Sequence, residues 1–253
     1  MPLLLLKALL TPALLGAAML AAHRWGDTAG GWLLGLPIVS GPISVMLLLE
    51  RGERFAVSAA HSTLAGFIAG GAFCACYAWT SERYRWPVSL GASTLALLGT
   101  AWVLAPLQLD WLRSGLLVAA MLALLAHTVG NRPAIAPPTR TRKRDVLLQV
   151  VIASTVVVAL TTFAGTLGSN VAGLLAPLPV VSAVMATASI RRAGGGAAND
   201  LLRGAVAGSW GGAAFFAVTG ALLGIAAPVA VYATATAAAL AASGVSARLR
   251  PSA

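Results

Sequence analysis

Leu36-Pro37-Ile38-Val39-Ser40 returns as Leu178-Pro179-Val180-Val181-Ser182, an offset of 142 residues. The register extends beyond the motif: Gly52 falls on Gly194, Ser62 on Gly204, Gly66 on Gly208, Gly70 on Gly212 and Phe73 on Phe215. One such coincidence carries nothing, whereas a series held in register marks an internal repeat. In each copy the proline lies inside an apolar stretch long enough to cross a bilayer, where it removes a backbone donor and crowds the preceding turn. Each copy therefore predicts a broken membrane helix.

Composition sets the medium. The chain has 253 residues, 58% hydrophobic and only 9% charged, with a mean hydropathy of +0.86, far from the soluble average of roughly 25% charged residues. Its apolar runs are rich in Ala, Leu, Val and Gly and suit helices of about 20 residues, while the alternating ten-residue strands of a barrel are missing. The fold class expected is all-α integral membrane, in a lipid bilayer. A net charge of +10 in a soluble domain would suggest nucleic acid, but here the basic residues sit in short loops and no basic patch interleaves with aromatics, so no nucleic acid partner is expected. Cys74 and Cys76 lie two apart in an apolar span, where they point to different helix faces and suit neither a shared metal nor a disulfide.

Nine spans are expected. The first, about Pro2 to Ala22, lacks the basic region that precedes a cleaved leader and corresponds by the offset to the span beginning near Leu147, so it is read as a helix. The second covers about Gly31 to Leu49, the third Phe55 to Trp79, the fourth Pro87 to Ala105 and the fifth Leu112 to Val129. The polar stretch from Asn131 to Asp145, with the run Arg140-Thr141-Arg142-Lys143-Arg144, reads as a linker. The sixth span covers about Val146 to Gly165, the seventh Val171 to Ile190, the eighth Leu201 to Leu223 and the ninth Ala226 to Ala242. Residues 1–106 then form a first four-helix repeat, 107–130 an unpaired fifth helix, 131–145 a basic cytoplasmic linker, 146–245 a second four-helix repeat and 246–253 a cytoplasmic tail.

With the amino terminus outside and the carboxyl terminus in the cytoplasm, 13 of the 17 Lys and Arg fall on the cytoplasmic side, as the positive-inside rule requires. Four spans, one unpaired span and four more place equivalent helices an odd number of crossings apart, so the repeats must face opposite ways. Inverted repeats with discontinuous helices meeting near the midplane are the signature of many secondary transporters.

The residues that would line such a site gather at the breaks. Lipid cannot satisfy the backbone groups a break frees, so breaks are kept where they are buried in protein or line a polar cavity. Pro37, Ser40, Gly41, Ser44, Pro179 and Ser182 are the substrate-binding candidates, since amides at a half-helix start favour an anion and hydroxyls complete the shell. Proline and serine are also ordinary in membrane helices, where the hydroxyl bonds back to its own backbone. His61 and Arg203 occupy equivalent positions near opposite faces: Arg203 would attract an anion and His61 would titrate as a proton-coupling group, or both would snorkel to the interface. The faces Ser62, Gly66, Gly70 and Gly204, Gly208, Gly212 allow another helix to approach closely, within the chain, in sliding, or in a homo-oligomer. All seven acidic residues are expected in loops or at span ends, which argues against a proton pump or cation exporter built on a buried acid. No phosphate-cradling loop, metal-spaced histidine pair or nucleophile elbow is present, so no enzyme, cofactor or metal is expected.

Ala172-Gly173-Leu174-Leu175-Ala176-Pro177-Leu178-Pro179, followed by an apolar run, a polar turn and a Gly-rich span, resembles the small GlpM-type inner-membrane proteins, and Gly31 through Trp79 shows the same order of features. The resemblance covers about half the chain and implies a bacterial inner-membrane protein linked to envelope or polysaccharide export. The departure is duplication within one chain. The functional expectation is a secondary transporter of a small or amphipathic organic solute, an anionic one included; the alternative is a non-transporting accessory protein in envelope, lipid or polysaccharide export.

Overall fold

The structure is a computed structural model of the chain. It describes residues 27–38, 40–107, 109–129, 147–156 and 179–248, with the single positions 13, 16, 17, 19, 20, 24 and 144. All regular structure among them is helical. The helices are α1 (Asp27–Gly35), α2 (Ser40–Arg51), α3 (Glu53–Thr80), α4 (Trp86–Leu104, closed by a 3-10 turn Ala105–Leu107), α5 (Trp111–Thr128), α6 (Leu147–Val156), α7 (Val180–Ala193), α8 (Gly195–Leu222) and α9 (Pro228–Arg248).

Six stretches among the described residues are long and apolar enough to cross a bilayer: Thr28–Arg51, Glu53–Thr80, Trp86–Leu107, Trp111–Thr128, Gly195–Leu222 and Pro228–Arg248. The protein is thus a membrane-embedded helical bundle. Most of the expected first span and of the linker, half of the sixth span and the first eight residues of the seventh lie outside the described residues. The break at Pro37 is present. Leu36 N–H donates to Leu33 O at 3.2 Å and Gly41 N–H to Pro37 O at 2.9 Å, so the chain turns out of α1 and restarts as α2 around the residue that cannot donate.

The repeat is structural as well as sequential. α3 and α8 each have 28 residues and begin and end 142 positions apart. Each is entered through a glycine in a conformation closed to other residues: Gly52 at φ 82° and ψ 177°, Gly194 at φ 83° and ψ −175°. α4 and α9 start at the same offset, and the buried stripe Ser89, Ser93, Leu97 of α4 matches Val231, Ala235, Ala239 of α9. At 1.5 Å per residue α3 and α8 are about 42 Å long, more than the roughly 30 Å hydrocarbon core.

These two long helices cross antiparallel. Ser81 meets Asn199 at one end, Phe67 meets Phe216 near the middle, and His61 meets Gly220 at the other. α4 covers α3, α9 covers α8, and α5 packs on both long helices. The closest packing joins α1 to α8 in parallel. A Cβ on Gly204 would stand 3.0 Å from the Gly31 Cα, and one on Gly208 3.0 Å from the Gly35 Cα. Without a driving force from water, membrane helices associate through such close backbone contact. Leu95, Trp102, Leu116, Leu124, Val229 and Leu240 point outward, as lipid-facing side chains do.

Two expectations need correction. The eighth span starts at Gly195 rather than Leu201, because the positive-φ Gly194 turns the chain straight into the helix and polar residues ride inside its first turns. Asp200 is consequently neither in a loop nor at a free span end: it is 5% exposed within α8. The Gly204, Gly208, Gly212 face is closed within the chain, by α1 and by Phe67 of α3.

Candidate solute site at the helix break

Pro37 positions the site by stopping α1 against the middle of α8. Leu36 reaches within 3.1 Å of where a Cβ on Gly211 would lie, and the Gly35 carbonyl within 3.0 Å of one on Gly212. Ser40 then opens α2, half-buried. Gly41 is buried, and a Cβ there would meet the Phe215 ring at 3.5 Å. One turn on, the buried Ser44 hydroxyl lies 3.0 Å from the Tyr232 hydroxyl of α9. Phe215 packs on Tyr232 with centroids 6.0 Å apart and edge-on against Phe216 at 5.1 Å. The first break is therefore bounded by the Ser44 and Tyr232 hydroxyls and an aromatic wall, with Ser40 half-buried at the start of α2.

The second copy of the proline motif is described from Pro179 onward. Pro179 precedes α7 at φ −77° and ψ 43°, and its carbonyl accepts from Ala183 N–H at 2.6 Å. Ser182 is buried. The Thr187 hydroxyl lies 3.1 Å from the Tyr77 hydroxyl of α3. Leu34, just before the break, and Val181, in the first turn of α7, pack on one core that includes Ala69, Phe73 and Met185. The break at Pro37 and the start of α7 thus both reach the crossing of α3 and α8.

His61 and Arg203 stand away from that crossing, at opposite ends of the α3 and α8 pair. Each lies eight residues inside its helix, about 12 Å along the axis. His61 Nε2 is 3.0 Å from Gly220 O; as donor, the ring N–H caps a last-turn carbonyl of α8, a position that lacks an intrahelical partner. Arg203 reaches Asp200 with 3.6 Å between guanidinium nitrogen and carboxylate oxygen. Around that pair Asn199 Nδ2 donates to Glu82 Oε1 at 2.8 Å and Ser81 donates to Asn199 Oδ1 at 3.3 Å. The equivalent positions in the first repeat are Val57, Ser58 and His61, so the two ends of the bundle differ in chemistry.

Sequence reading missed the aromatic wall and this buried polar cluster. The Phe215-Phe216 pair in a Gly-rich span, and Asn199-Asp200 directly ahead of an apolar run, were the available signals. Cys74 is buried and Cys76 partly so, both as free thiols. No group of three or more His, Cys, Asp or Glu suited to a metal occurs among the described residues.

The hydroxyl pair linking α2 to α9 gives a measurable coupling. A double-mutant cycle of Ser44→Ala and Tyr232→Phe is expected to return about 0.6 kcal/mol, the usual worth of an interhelical hydrogen bond in a membrane protein. A coupling near zero in detergent unfolding measurements would show that the pair is not formed. No family model, no curated protein and no solved structure matches the chain, so its function must be argued from this site.

Proposed function

We propose that the protein is a secondary transporter working by alternating access between two inverted four-helix repeats, with its solute site at the breaks near Pro37 and Pro179. The observation that carries this reading is the antiparallel crossing of the equivalent helices α3 and α8, with a broken helix lodged against it. A two-fold axis through that crossing lies perpendicular to the helices, hence in the membrane plane, the arrangement in which rocking one repeat against the other exposes a fixed site to each face in turn. Nine spans complete the two repeats around the unpaired α5.

The lining argues for the solute class. Phe67, Phe215 and Tyr232 suit an apolar or aromatic body, and Ser40 and Ser44 suit a polar group, which together fit a small amphipathic organic solute; the half-helix amides favour an anionic one. The end of the bundle bearing Arg83, Arg85, Arg191, Arg192, Arg203 and Arg248 is the cytoplasmic one by the positive-inside rule. The carboxyl terminus then lies inside and the amino terminus outside, in a bacterial inner membrane.

The test uses single cysteines in a Cys74→Ala, Cys76→Ala background. Arg54→Cys and Arg191→Cys are expected to label with an impermeant maleimide from opposite faces, and Ser40→Cys to react with a small water-soluble thiol reagent from either face. If Arg54→Cys and Arg191→Cys label from one face, the inversion is wrong; if Ser40→Cys reacts from neither, alternating access is wrong.

A further inference from the structure

We propose that the seam between the start of α4 and the end of α7 binds the headgroup of an anionic phospholipid. The two ends of the bundle treat their arginines differently. At the end where α3 begins, Arg51, Arg54 and Arg113 stand among as many acids, Glu50, Glu53 and Asp110, and Arg113 reaches Asp110 at 4.0 Å. At the opposite end Glu82 accepts from Asn199 and Asp200 pairs with Arg203. Arg83, Arg85 and Arg191 are exposed there, with no carboxylate against them among the described residues.

Their surroundings place them at a membrane boundary. Trp79, Tyr84 and Trp86 are exposed in the same turn, and indole rings sit at headgroup level because they join an apolar body to a polar N–H. The Arg83 guanidinium lies 4.8 Å from the Trp79 ring centroid, and the Arg191 guanidinium 5.9 Å from that of Trp86. Such stacking occupies the flat face of each guanidinium; Arg83 also donates Nη1–H to Trp79 O at 3.0 Å, and the remaining N–H groups can match two phosphate oxygens at once. Arg85 directly precedes Trp86, the first residue of α4, and adds a second charge beside Arg191. A cluster of three exposed arginines at headgroup depth, flanked by indoles, complements a lipid phosphate in charge and position.

The experiment is native mass spectrometry of the full chain in mixed micelles of phosphatidylglycerol and phosphatidylcholine. The wild type is expected to retain phosphatidylglycerol preferentially. At about fivefold for each juxtamembrane arginine, Arg85→Gln with Arg191→Gln should reduce the preference roughly twenty-fold, whereas Arg51→Gln with Arg54→Gln at the other end should leave it unchanged. Arg85→Lys with Arg191→Lys keeps the charge and should keep most of the preference, which covers the case in which the glutamine variant does not fold. Equal retention of the two lipids by the wild type overturns the proposal. So does a loss that is equal at both ends, a glutamine variant that behaves as wild type, or displacement of the bound lipid by millimolar inorganic phosphate alone.

Discussion

Gly208→Ala is expected to lower the unfolding free energy by about 3 kcal/mol, the upper range for overpacking a closed interface, and Gly208→Leu to abolish recovery of folded protein. A Cβ at Gly208 would run into the Trp32 carbonyl group. That oxygen belongs to the backbone of α1 and cannot rotate away as a side chain would, so relief requires the two helices to separate along their whole contact. Gly204 makes the same demand one turn earlier, against the Thr28 carbonyl, and the two substitutions should not be additive, since one separation relieves both. Gly99→Ala and Gly115→Ala are the controls: nothing lies within 4 Å of a Cβ at either, and both should stay within about 0.5 kcal/mol of wild type. Unfolding by denaturant in detergent, followed by tryptophan fluorescence, separates the two classes. Equal stability of Gly208→Ala and Gly99→Ala would show that α1 does not pack on α8 as described.

Gly52→Ala and Gly194→Ala are expected to cost about 1–3 kcal/mol each through backbone strain alone. At φ 82° and 83° with ψ near 180°, both glycines occupy a region that is sterically closed to side chains, while no atom stands within 4 Å of the added methyl group. Lost packing therefore contributes nothing, and the two costs should be equal within error and additive, as they are for distant sites. The same substitutions should slow thiol access to Ser40→Cys if these joints bend as one repeat moves against the other. Unchanged stability in both variants would mean that the backbone relaxes to an ordinary turn at little cost.

Much of this arrangement was legible because membrane folding leaves simple marks. The offset between Pro37 and Pro179 located one break, and the matches at Gly52 and Gly194 located two joints whose φ values only glycine tolerates. Span limits were less legible. Hydropathy penalises Glu53, Arg54, Asn199 and Asp200, yet a helix continues through polar residues when protein rather than lipid surrounds them, so α8 reaches six residues beyond its apolar run. The partners of Ser44 and His61 were hidden for a different reason. Tyr232 and Gly220 lie 188 and 159 residues away, and no local pattern announces which helix will pass beside which. The repeat gives the order of helices, and only their packing tells which side chains meet.

The parallel seam of α1 against α8 also imposes a schedule on biogenesis. Gly31 and Gly35 enter the membrane early, but Gly204 and Gly208, the surfaces they close upon, are made some 170 residues later. At roughly 5–20 residues per second the ribosome needs about 10–35 s to supply them. During that interval the glycine groove of α1 waits with its main partner unmade, and the nascent first half is held by its neighbours and by whatever attends insertion. The core of this bundle is sealed late, by the second long helix to be synthesised.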